Sequence, residues 1–158
     1  MDSMYMIIVG IMMTLAITGL VVGVANDAVN FLNSALGSKV APRYVIMTVA
    51  SVGIIVGAIT SSGMMEVARS GVFHPEMFSF SEVMMLFLAV MFMNVILLDV
   101  FNTLGMPTST TVSLVFGLLG AAVSVSVYKI THSDLHTMAD LAPYINTGKA
   151  MAILSGVL

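Results

Sequence analysis

Four stretches of this chain, residues 3–26, 44–65, 83–98 and 100–128, contain no charged side chain. That pattern constrains the fold more than any other feature. Backbone placed in hydrocarbon has to satisfy its own hydrogen bonds, which a helix does within one segment. A helical crossing takes roughly 20 mainly apolar residues. Three of the runs meet that length, and 83–98 reaches it by borrowing neighbours as far as Leu104. A cleaved leader explains one such run, not four. Only 8% of the residues are charged, 59% are hydrophobic, and mean hydropathy is +1.08, whereas soluble domains carry about 25% charged residues. The expectation is an all-α, polytopic integral membrane protein surrounded by lipid bilayer and placed in the plasma (cytoplasmic or inner) membrane. A net charge of −3 without a basic patch offers nothing to nucleic acid. With no Cys there is no disulfide framework and no thiolate metal site. No nucleophile–base pair or metal-ligand cluster suggests an enzyme.

Hydropathy and breakers give a coarse map. A first span covers about 4–25, and a short polar-faced helix covers 26–37, ended by Gly37-Ser38 with Pro42 closing the turn. A second span covers 43–68, a loop 70–81 and a third span 82–104. Gly105-Met106-Pro107 breaks the chain, and a fourth span runs over 108–127. Residues 129–144 read as a solvated loop or short surface helix. A further apolar segment begins near 146, with nine residues after Lys149, too few to cross. The expectation is a single transmembrane domain over 1–158 that is a fragment, or one half of something larger, with its last span truncated.

The polar cluster after the first span bears on function. At 100° per residue, Asn26, Asn30, Asn33 and Gly37 share a narrow arc, with Asp27, Ser34 and Ser38 on its shoulder. That face holds amides, hydroxyls and one carboxylate, and no Lys or Arg. A helix lying on a membrane surface is usually basic there. Carboxylates and amides at membrane depth are costly and mark places where something polar binds or passes. This face suits a cavity for an ion or an oxyanion. Interhelical bonding is the plainer reading of the same residues.

A second cluster lies at the 105–107 break. Asp99, Asn102 and Thr103 stand at i, i+3 and i+4 near the end of the third span, and Pro107 precedes Thr108, Ser109, Thr110 and Thr111. Proline suits the first turn of a helix. The free N–H groups and positive dipole end of such a helix, fringed by hydroxyls, form an anion site for phosphate or sulfate, and hydroxyl oxygens also ligate Na+. A plain N-terminal cap uses the same groups. Asp99 and Asn102 fit a coupling-ion contact or interhelical bonding equally. Glu66 and Arg69, at i and i+3, are expected to pair. The 16 Met, including the Met12-Met13, Met64-Met65 and Met84-Met85 pairs, read as flexible apolar filler, not a copper site. His74, His132 and His136 read as solvated loop residues.

The run Gly23–Lys39, G-V-A-N-D-A-V-N-F-L-N-S-A-L-G-S-K, resembles the signature of the inorganic phosphate transporter (PiT) family, N-D-x-x-N followed by small residues ending in G-S. Leu104–Gly117, L-G-M-P-T-S-T-T-V-S-L-V-F-G, resembles that family's second element, and the glycine-rich Val52–Gly71 fits between them. The resemblance implies a secondary transporter taking up phosphate, or in some members sulfate, with Na+ or H+. It implies one half of an inverted-repeat architecture with broken or re-entrant helices, partnered by a second repeat of the same polypeptide or a second copy of the chain. By position, Asn26, Asp27 and Asn30 match the first signature, and Ser109, Thr110 and Thr111 the second. Val112 stands where many relatives have His.

The implied substrate-binding set is Asn26, Asn30, Ser109, Thr110 and Thr111. The implied coupling-cation set is Asp27, Asn30, Asp99 and Asn102, with Asp27 the Na+ contact if coupling is to sodium. A bare carboxylate beside an anion repels it, so a cation between them or a proton on the carboxyl is expected. No cofactor is expected beyond a coupling Na+. The alternatives are a sulfate permease of the same family, an ion channel whose broken helices form a filter, and a non-transporting membrane subunit.

Overall fold

The computed structural model describes residues 3–62, 66, 71–106, 108–132 and 141–157. Met64-Met65, Arg69 with its expected pairing to Glu66, Pro107 and His136 lie outside these. The elements are α1 (Ser3–Ser38), α2 (Arg43–Thr60), a 3-10 turn (Pro75–Met77), α3 (Phe80–Thr103), α4 (Thr110–Thr131) and α5 (Thr147–Val157). The first four helices are long and apolar enough to cross a membrane. Among the described residues there is no strand, only one antiparallel bridge between Phe73 and Ile145. The molecule is an all-α membrane protein.

One boundary differs from the sequence reading. Residues 4–25 and 26–37 are not two helices but one, the 36-residue α1. No Pro interrupts it, and Thr14 and Thr18 fold their hydroxyls back onto the carbonyls of Gly10 and Thr14 at 3.0 and 2.9 Å. The helix stops at Ser38 because Lys39 takes a left-handed conformation, φ 53°, with Pro42 just beyond. α4 continues to Thr131, past the expected end at 127, so Lys129 belongs to a helix rather than a loop.

Contacts fix the packing directions. Tyr5 meets Phe80, a Cβ on Gly19 would lie 3.5 Å from Val95, and Asn102 Nδ2 donates to Val22 O at 3.2 Å. Both numbers rise together, so α1 and α3 run parallel. Lys129 meets Glu82, a Cβ on Gly117 would sit 3.3 Å from Val90, and Ser113 Oγ donates to Asn94 Oδ1 at 2.7 Å. One number rises as the other falls, so α3 and α4 form an antiparallel hairpin.

The open end of the hairpin holds the apolar core: Val72, Phe73, Phe78, Leu86, Leu118, Ala122, Ile130, Tyr144 and Ile145 among others. Segments 71–79 and 141–146 cover it, joined by His74 N to Tyr144 O at 2.9 Å and Asn146 N to Val72 O at 3.1 Å. Ser79 and Glu82 cap α3 reciprocally, the arrangement that satisfies two otherwise orphaned donors. Lys129 then clasps the corner. Its ammonium donates to Glu82 Oε2 and to Met77 O, both at 3.0 Å, and lies 5.6 Å and 5.8 Å from the ring centres of Phe78 and Tyr144. At the closed end of the hairpin, Thr108 rests against α1 at Asn26.

Candidate functional site

α3 ends on a backbone motif that uses glycine. Gly105 N donates to Asn102 O at 3.1 Å and Met106 N to Phe101 O at 3.0 Å, with Gly105 at φ +69°. These paired bonds satisfy the last carbonyls of the helix and need a left-handed residue, which glycine adopts without a Cβ penalty. The chain then turns back, and Ser109 starts α4 as its cap, accepting from Val112 N at 3.3 Å.

Between these two helix ends, α1 supplies its polar residues. Asn26 is fully buried, 0% exposed. Its Oδ1 accepts from Thr108 N at 3.0 Å, and its Nδ2 donates to Thr108 O. One turn later Asn30 Nδ2 donates to the same carbonyl at 3.1 Å. Asp27, half-buried, accepts at Oδ1 from Thr110 Oγ1 at 3.3 Å and from Asn26 Nδ2 at 3.4 Å. Its Oδ2 accepts no hydrogen bond among the described residues. α4 approaches α1 closely at Gly23, where a Cβ would stand in ordinary contact, 3.8 Å from Thr110 Cγ2.

The arrangement thus joins Asn26, Asp27 and Asn30 of one helix to Thr108 and Thr110 at the start of another. The first-turn N–H groups of α4 lack intrahelical partners and carry the positive end of the helix dipole. A carboxylate with one free oxygen stands beside them. Chemically, the arrangement sets N–H and hydroxyl donors next to a carboxylate.

Thr111, beside Thr110 in the first turn of α4, is exposed. The other candidates lie apart. Asn102 bonds to the α1 backbone at Val22, while Asp99, on the same helix, is exposed and makes no hydrogen bond among the described residues. Asn33 and Ser34 are exposed on α1 beyond the hairpin. His74 and His132 are at the opposite end, His132 stacked 4.1 Å from Tyr128. Sequence reasoning misses the main chain of Thr108 and the Asn94–Ser113 bond. An Asn inside the charge-free run 83–98 is the available signal for the second. That bond lies in a groove of about 570 Å³ between α3 and α4, whose walls include Met93, Leu97, Phe101 and Phe116. Those walls are apolar and do not suit an oxyanion.

A bundle of membrane-length helices, with paired polar helix ends meeting beside a carboxylate, defines an integral membrane protein built to handle ions. Residues 23–156 match the phosphate transporter family, and the chain belongs to that family. No curated protein and no solved structure matches it.

Proposed function

We propose that this chain is a cation-coupled phosphate symporter of the plasma membrane. Ser109, Thr110, Thr111 and Asn30 contact phosphate, and Asp27 contacts the coupling cation, Na+ or H+. One observation carries the reading: Thr110 Oγ1 donates to Asp27 Oδ1 at 3.3 Å, so the hydroxyl-rich helix end and the carboxylate share one place. Phosphate drawn to that helix end by N–H groups and hydroxyls meets a negative charge. The repulsion is relieved when the free Oδ2 holds Na+ or a proton. Each ion then favours the binding of the other, and by linkage the coupling is reciprocal. Asp99 and Asn102 are the second choice for the cation.

The test is labelled-phosphate uptake by reconstituted transporter under an imposed Na+ gradient, then an imposed pH gradient. The parent is expected to concentrate phosphate under one of them, which identifies the cation. Asp27→Asn is expected to lose that accumulation while retaining weak phosphate binding at high concentration. A mutant that still concentrates phosphate under the parent's driving gradient removes Asp27 from coupling and moves the assignment to Asp99.

A further inference from the structure

The geometry points to Asn26 as a positioning residue, not a phosphate ligand: its side-chain amide replaces the missing backbone partner of Thr108 and so sets where the α4 N-terminus stands relative to Asp27. The inference deepens the proposed phosphate site and rests on that reading for its binding arm alone.

Thr108 lies between two helices, where neither α3 nor α4 provides main-chain partners for its N–H and C=O. Thr108 is half-buried, and a backbone N–H or C=O held away from water is costly unless it finds a partner. A side-chain amide is the one neutral group that presents a donor and an acceptor in the geometry of a peptide. Asn26 uses both on a single residue, accepting from Thr108 N and donating to Thr108 O. Its second amide hydrogen faces Asp27 Oδ1 at 3.4 Å. An Asn amide has two hydrogens to donate, and both are engaged here. At 0% exposure the side chain has neither a free donor nor a surface to offer an anion. Asn30 is different. It gives one hydrogen to Thr108 O at 3.1 Å and is exposed, so its other groups remain free for a ligand. The two asparagines of the N-D-x-x-N run therefore divide the work: the first holds the hairpin and the second faces the site.

Asp27 connects this clamp to ion binding. Its Oδ1 accepts from both Asn26 and Thr110. A shift of Thr108 and the α4 N-terminus by an ångström would part Thr110 from Asp27 while leaving every proposed phosphate-contacting side chain in the protein.

The experiment measures two quantities on the full chain in lipid nanodiscs: amide hydrogen exchange across residues 106–113, and equilibrium binding of inorganic phosphate. Asn26→Ala removes both bonds, and Asn26→Asp keeps the acceptor and the shape but loses the donor. Both are expected to speed exchange at Thr108, leave exchange in α1 before Val22 unchanged, and weaken phosphate binding by at least about tenfold. Ser113→Ala breaks an interhelical bond one turn away and is expected to change neither quantity. Weakened binding with unaltered Thr108 exchange would make Asn26 a ligand and overturn the inference. So would faster exchange with unaltered binding, or an equal effect from Ser113→Ala. If Asn26→Ala does not fold, Asn26→Asp decides. If the parent itself binds no phosphate, the proposed function fails, and the exchange arm still judges the clamp.

Discussion

Neighbouring hydroxyls at the start of α4 do different work. Thr110 donates to Asp27, whereas Thr111, turned about 100° further round the helix, is exposed. With Thr111 in the proposed role of a phosphate contact, Thr111→Val is expected to lose roughly ten- to hundredfold in phosphate affinity with an unchanged cation dependence. Thr110→Val also removes a hydrogen bond to Asp27, so it is expected to shift the cation concentration at which phosphate binds as well. Phosphate titrations at a series of Na+ concentrations and pH values separate the two. An unshifted cation dependence in Thr110→Val would show that this hydroxyl does not link the sites. The residue types are legible in sequence because a carboxylate and a run of hydroxyls are costly in apolar surroundings unless they bind something polar. Their partners are not. Asn26 and Thr108 are 82 positions apart, and nothing local announces that a side-chain amide will pair with a backbone. Asp99 and Asn102 show the limit of face arguments: three residues leave them about 60° apart on the helix. That is enough for Asn102 to reach α1 while Asp99 stays on the open side.

At the scale of elements, α3 and α4 are readable because charge-free runs and strong punctuation coincide. Gly105 and the hydroxyl run after it mark the turn, whereas the capping pair Ser79–Glu82 starts α3 at Phe80, two residues before the span read from hydropathy. α1 is harder to read, because a polar cluster in sequence looks the same whether or not the helix breaks there. Asn and Asp have only modest helix propensity, but no Pro stands between Gly23 and Gly37, and tertiary partners for Asn26, Asp27 and Asn30 outweigh a few tenths of a kcal/mol each. Eight residues follow Asn30 in α1, so about 12 Å of unbroken helix extends past the hairpin turn. Two glycines test the hairpin in opposite directions. Gly105 sits at φ +69°, where an L side chain costs about 1–2 kcal/mol, so Gly105→Ala is expected to lower the thermal midpoint in detergent by a few degrees. Gly120 lies inside α4 with nothing within 4 Å of a built Cβ, so Gly120→Ala is expected to raise the midpoint, through a gain in stability of up to about 1 kcal/mol. A neutral Gly105→Ala would mean that the turn does not need its left-handed residue.

Over the whole molecule, apolar surface faces outward. Every residue from Ser51 to Ser62 in and just after α2 is exposed, Ile54 at 64% and Ile59 at 78%, and in α2 only Ile46 is buried. Met6, Ile7, Met13 and Leu20 of α1 are exposed likewise. Soluble monomers rarely present contiguous apolar patches beyond a few hundred Å². In a bilayer the same surface faces acyl chains and needs no protein cover, because lipid tails are as apolar as leucine. The small buried core between α3 and α4 and the covering segments then acts as a brace for the polar site, with lipid supplying the rest of the apolar surroundings. A carbene-generating lipophilic probe tests this in liposomes. Ile54, Ile55 and Ile59 are expected to label as strongly as Met6 and Ile7, and Leu98 and Leu118, each 1% exposed, to remain unlabelled. Strong labelling of α1 with none on α2 would show that another protein segment, rather than lipid, lies against α2. Labelling of Leu98 and Leu118 would show that α3 and α4 do not pair as described, and the site at their turn would lose its support.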